Sequence, residues 1–191
     1  MRNDISLELA SRLTEQVKTA FENGSLLDAV TPVTQDLLKF WFMGPYTEER
    51  SKNFHEGQKQ SILNIIYLHE VLQVTTVEEI YRQVAPDLLA ECNLSDLAKE
   101  KYRIPKYAVK MATGTGKTWV MHALLLWQLL NGRHEEQEER SGRYTQNFLI
   151  VAPGLIVYDR LKDAYCGRLK ENCTERDPFT NDLYLHKDLF I

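Results

Sequence analysis

Cysteine is scarce in this chain: three in 191 residues, Cys92, Cys166 and Cys173. An odd count at wide spacing builds no disulfide framework and points to a reducing compartment. Cys166, Cys173 and His186 do not follow a metal-ligand spacing either, so ordinary thiols are expected. No apolar run reaches the roughly 20 residues that a membrane-crossing helix needs. Arg2, Asp4 and Glu8 interrupt any leader-like apolar stretch at the start. Surplus positive charge is missing as well. Lys and Arg number 23 against 27 Asp and Glu, a formal net charge of −4, which is not the footprint of a strong autonomous nucleic-acid binder. Internal repeats and low-complexity tracts are absent. The expectation from these absences is a cytoplasmic protein.

What is present is ordinary for a globular chain: 43% hydrophobic and 26% charged residues. The length suits one domain with a small appendage. Residues 1–50 read as a helical extension and residues 51–191 as the main domain. Leu9, Leu13, Val17 and Phe21 repeat every four positions, and Gly24 ends that helix. Thr31-Pro32 opens another as N-cap and first-turn proline, with Leu37, Leu38, Trp41 and Phe42 on its apolar face and Gly44-Pro45 as its break. Residues 56–73 predict a core helix, with Ile62, Ile65, Ile66 and Leu72 on one face. Thr76 and Glu79 form a capping box for a helix that ends near Ala85-Pro86, and Ser95-Asp96 caps a shorter one. The run of charges over residues 135–140 reads as a solvated loop or helix end.

The most specific stretch is residues 111–118, Met-Ala-Thr-Gly-Thr-Gly-Lys-Thr. Residues 106–110 before it read as a short buried strand. Residues 119–131 after it read as a helix, apolar on almost every face, that Gly132 stops. Strand, glycine loop ending in Gly-Lys-Thr, then helix is the context of a phosphate-binding P-loop. Gly114 and Gly116 let the backbone turn tightly, so that N–H groups of Thr113 to Thr118 face a polyphosphate at a helix N-terminus. Lys117 would reach the β- and γ-phosphates, and the Thr118 hydroxyl would ligate Mg²⁺. The ligand expected is therefore ATP or another nucleoside triphosphate with Mg²⁺. A nucleotide kinase or a GTPase is a weaker alternative, since the chain lacks the guanine-reading Asn-Lys-x-Asp and any evident acceptor or lid segment.

Two further blocks carry a family resemblance. Residues 147–154, Asn-Phe-Leu-Ile-Val-Ala-Pro-Gly, read as a buried strand ending in Pro-Gly. Residues 53–62, Asn-Phe-His-Glu-Gly-Gln-Lys-Gln-Ser-Ile, lie upstream of the loop. With the P-loop, these resemble superfamily 2 DEAD/DEAH-type helicases, and more closely the Res subunit of type III restriction enzymes, over roughly residues 53–191. That family often carries Met where the general P-loop pattern has Gly, so Met111 is expected. The resemblance implies an α/β P-loop NTPase fold: an incomplete RecA-like domain with a parallel sheet. It implies that Gln58 contacts adenine with Phe54 a possible stacking neighbour, although Gln58 also reads as an ordinary surface-helix glutamine. It implies that Pro153 and Gly154 touch the DNA backbone. The resemblance also implies DNA and a modification methyltransferase subunit as partners of an intact ATP-dependent translocase or endonuclease subunit.

One family feature has no counterpart. No strand ending in Asp-Glu follows Lys117, and the acid-ended run at residues 65–70 precedes the loop and reads as helix. Little or no hydrolysis by this chain alone is expected. The alternative is a truncated, non-catalytic nucleotide-binding or protein-interaction module. Residues 183–191 read as strand or loop.

Overall fold

A computed structural model describes residues 5–92, 99–100, 106–138, 142–171 and 174–190. The helix expected to be capped by Ser95-Asp96 lies outside the described residues. The chain divides into two compact units. One comprises Met1–Leu38 with His55–Val120, the other Lys39–Phe54 with Met121–Ile191.

In the first unit, α1 (Ile5–Glu22) packs on α2 (Ser25–Ala29), α5 (Glu56–Ile66) and α6 (Val77–Val84). Leu13 and Val17 from the predicted four-residue row are buried. Gly24 ends α1 in the left-handed region at φ 84°, as its position predicts. The α5 helix buries Ile62, Leu63, Ile65 and Ile66, then continues as a π-helical turn, Tyr67–Val71. The predicted helix is thus present, with a wider last turn. Thr76 and Glu79 make both halves of the capping box at α6. Their hydrogen bonds, led by the Thr75 N–H, hold the Glu79 carboxyl below the usual carboxylate range. Pro86 opens α7 (Pro86–Leu89) where α6 was expected to end. Tyr81, Ala85 and Leu88 form a small satellite core with Ile5 and Leu9.

The start of α3 (Pro32–Phe42) is tied into this unit. Thr31 caps it as predicted, its Oγ1 accepting the Thr34 N–H at 3.1 Å. Glu70, 3% exposed on the π turn, accepts the Thr31 N–H at 2.8 Å and the Thr34 hydroxyl at 2.5 Å. Glu70 continues the Ile62–Ile66 stripe one turn on, which is why a carboxylate is buried there.

The second unit contains α4 (Tyr46–Glu49), most of α8 (Lys117–Gln137), α9 (Leu155–Cys166), a hairpin of β1 (Arg168–Leu169) and β2 (Arg176–Asp177), and the short helices α10 (Asp182–Leu185) and α11 (Lys187–Phe190). An aromatic cluster forms its core. Phe54 sits edge-to-face with Trp41, Phe42 and Phe190 at 5.7–6.1 Å. From α8, His122, Ala123, Leu126, Trp127 and Asn131 are buried at helical spacing.

Three expectations are corrected here. Gly132 does not stop α8, which runs on to Gln137. Gly132 serves close approach instead: a Cβ there would meet Gln146 Cγ at 3.0 Å and the Thr145 backbone at 3.6 Å. Residues 183–191 read as strand or loop, yet over 182–190 the chain forms α10 and α11, with Asn181 capping the first through its side chain. Residues 106–110 and 147–152 carry no regular secondary structure and are largely exposed, and the sheet among the described residues is the antiparallel pair β1–β2. A run of β-branched and apolar residues becomes a buried strand only when neighbours pair with it and cover it.

His122 gives the second unit a pH dependence. Its ring is fully buried, T-stacked on Tyr165 at 4.5 Å, with Nε2 at 3.4 Å from Asp182 Oδ2. Burial pushes its pKa below the ordinary histidine value and outweighs the Asp182 contact; His186, also partly desolvated, moves the same way. The fold favours the neutral ring, so its contribution is complete above the unfolded value of about 6.5 and is lost as pH falls below it. Melting temperature is therefore expected to drop between pH 7.5 and 5.5, and His122→Gln to reduce that drop. Circular dichroism melts at the two pH values read both.

Candidate functional site

The glycine loop, the candidate phosphate site, sits in the first unit between residues 106–110 and the start of α8. Gly114 and Gly116 both occupy the left-handed region, φ 82° and 70°, which an L-side chain rarely adopts. The turn is closed by Thr115, whose hydroxyl donates to the Ala112 carbonyl at 2.7 Å. The α8 helix starts at Lys117, with the Trp119 N–H on the Gly116 carbonyl at 2.9 Å. The first N–H groups of α8 have no acceptor within the helix, the condition for anion binding at a helix start. Lys117 is exposed, and its ammonium donates to the carbonyls of Met111 at 3.0 Å and Ala112 at 2.8 Å. It has no carboxylate partner among the described residues. Such a cation, curled back over its own loop, has only neutral acceptors to exchange for phosphate. Thr118 is the second residue of α8 and half-buried. These residues fit a nucleotide polyphosphate.

The start of α5 braces this loop. Gln58 is 2% exposed, so the surface-glutamine reading does not hold. Its Nε2 donates to the carbonyls of Gly116 at 3.1 Å and Thr115 at 3.3 Å. Its Oε1 accepts the His55 N–H at 2.9 Å, one half of a capping box. The carboxamide is engaged at both ends, and an adenine contact by the same group would exchange one of these bonds. Phe54 lies in the second unit's aromatic cluster, edge-to-face with Trp41, Phe42 and Phe190.

His55 was missed in the sequence. Its signal was a residue three before a glutamine at a helix start, the capping-box spacing with histidine in the cap position. Its Nε2 lies 2.9 Å from the Thr115 carbonyl.

In the second unit, Pro153 and Gly154 are exposed at the start of α9. Gly154 is the N-cap, with extended backbone and open space where a Cβ would be.

A glycine loop that opens a helix and is braced from upstream is the arrangement of the P-loop class. The sequence pattern of the family described as type III restriction enzyme, res subunit, matches residues 51–187. The chain belongs to that family, whose fold is of the P-loop NTPase kind. Neither the curated proteins nor the solved structures yield a significant match. No helix of the described residues is long and apolar enough to cross a membrane.

Proposed function

We propose that this chain is the ATP-binding part of a DNA-dependent ATPase or translocase of a restriction system, with a RecA-like domain over residues 51–191. The observation that carries this reading is the braced loop: two left-handed glycines, a lysine bonded to loop carbonyls and an open helix start, held by Gln58. Thr113 to Thr118 bind the phosphates, Lys117 neutralises their charge, and the Thr118 hydroxyl ligates Mg²⁺. Bound Mg-ATP would supply the phosphoanhydride chemistry of the parent activity. The residues here bind and orient it, and adenine lies toward the Gln58 turn. No strand ending in Asp-Glu is recognised after Lys117, so on this reading little turnover is expected of these residues alone. Pro153 and Gly154 offer an exposed helix start to a DNA phosphate. A methyltransferase subunit and nuclease activity belong to the same proposal at the level of the intact system, which would work in the cytoplasm.

A second reading, an interaction module without turnover, is favoured by one observation. Leu149 and Val151 are 90% and 79% exposed, and Leu155 and Ile156 close by in sequence are exposed as well; exposed apolar side chains grouped like this suit an interaction surface.

The test is calorimetric titration of Mg-ATP into the 191-residue chain, with Lys117→Ala alongside. Saturable binding is expected, weakened about 10- to 100-fold in the variant, as for loss of a charge-assisted hydrogen bond. The melting temperature should be unchanged, since exposed Lys117 touches only carbonyls. Equal binding by both proteins would overturn the reading.

A further inference from the structure

The His55 ring sits between two partners that can each act in only one way. The Gln58 backbone N–H is always a donor, and it points at Nδ1 from 3.4 Å. The Thr115 carbonyl is always an acceptor, 2.9 Å from Nε2. A ring that satisfies both must carry its proton on Nε2 and keep the Nδ1 lone pair free. The capping bond of α5 therefore sets the tautomer, and the tautomer makes His55 a donor to the phosphate loop.

That bond has a consequence across one peptide plane. In a trans peptide the C=O of one residue and the N–H of the next point in opposite directions. Holding the Thr115 carbonyl toward α5 turns the Gly116 N–H away from α5. Gly116 sits in the left-handed region on either side of which this plane could rotate, so an external hold on the carbonyl has something to fix. Gln58 holds the Thr115 and Gly116 carbonyls at 3.3 and 3.1 Å. His55 makes the shortest contact of the brace.

We infer that His55 is a positioning residue of the phosphate loop: its Nε2–H holds the Thr115 carbonyl and so presets the Gly116 N–H for a polyphosphate. The inference rests on the nucleotide reading above. His55 does not touch the phosphates; it acts through the loop.

Two substitutions separate the two ends of the ring. His55→Asn keeps a good helix cap but is too short to reach Thr115. His55→Gln reaches Thr115 with an amide donor but caps poorly. Three measurements are made on the 191-residue chain: calorimetry with Mg-ATP, hydrogen exchange of the peptide covering residues 113–118, and thermal melting. For His55→Asn, binding about fivefold weaker and faster loop exchange are expected at a near-normal melting temperature, the loss of one hydrogen bond. For His55→Gln, affinity and loop exchange should stay within about twofold of the parent while the melting temperature falls. A purely structural role predicts that affinity follows melting temperature in both variants, and that result would overturn the inference. So would His55→Asn with unchanged loop exchange. If the parent chain bound no Mg-ATP, the nucleotide reading would fall, and loop exchange would still decide the hold by His55.

Discussion

Gly116→Ala is expected to weaken Mg-ATP binding on the order of 100-fold, far more than Gly114→Ala. Both glycines lie in the left-handed region, at φ 70° and 82°, and a β-carbon costs about 1–2 kcal/mol there. That strain is all Gly114 has to lose, because the space where its Cβ would stand is open. At Gly116 the new Cβ meets Gln58 Nε2 well inside contact distance. Gln58 is buried and bonded at both ends, so it cannot swing aside without losing its bonds to Thr115 and Gly116. Two hydrogen bonds at roughly 1 kcal/mol each add to the backbone strain. The sum, about 3 kcal/mol, corresponds to roughly a hundredfold in affinity. The same reasoning predicts coupling: in a Gln58→Ala background, Gly116→Ala should cost markedly less, because the obstruction has gone. Calorimetry on the four proteins of that cycle measures the coupling. If Gly116→Ala and Gly114→Ala behave alike, the brace does not constrain the loop.

The loop was legible in the sequence because its chemistry is local. Left-handed glycines, a lysine at the helix start and a following apolar helix are fixed by spacing along one short stretch. The capping pair Thr76–Glu79, the stop at Gly24 and the cap at Thr31 were legible for the same reason. What failed to show was whatever depended on residues distant in sequence. Gln58 looks like a surface glutamine until the loop 57 residues on closes over it. Gly132 looks like a helix stop until residues 145–146 lie across it. Residues 147–152 have the composition of a core strand, yet composition cannot supply pairing partners. His122 lies in an apolar helix stretch, and nothing nearby announces that Asp182, 60 residues on, comes to 3.4 Å.

Glu70→Ala should be the most destabilising single change in the first unit outside its hydrophobic core. The carboxylate is buried and spends its two oxygens on the start of α3, one on the Thr31 N–H and one on the Thr34 hydroxyl. Removing it takes a charged acceptor from a backbone donor and a hydroxyl at a helix start that is itself part-buried. Thr34 is fully buried, so water cannot replace the lost partner without rearrangement. Each buried group left unsatisfied costs about 1–3 kcal/mol, for a total near 3 kcal/mol. In a chain of this size that lowers the melting temperature by roughly 6–12 °C. Glu70→Gln keeps an acceptor for one of the two donors and should fall about halfway. Thr34→Val removes one donor together with its need, so Glu70→Ala added to Thr34→Val should cost less than the two singles summed. Mg-ATP affinity at 25 °C should stay within about twofold throughout, because Glu70 takes no part in the loop brace, and a twofold change is under 0.5 kcal/mol. A fall in affinity that parallels the fall in melting temperature would show that the α3 anchor and the phosphate loop respond as one unit.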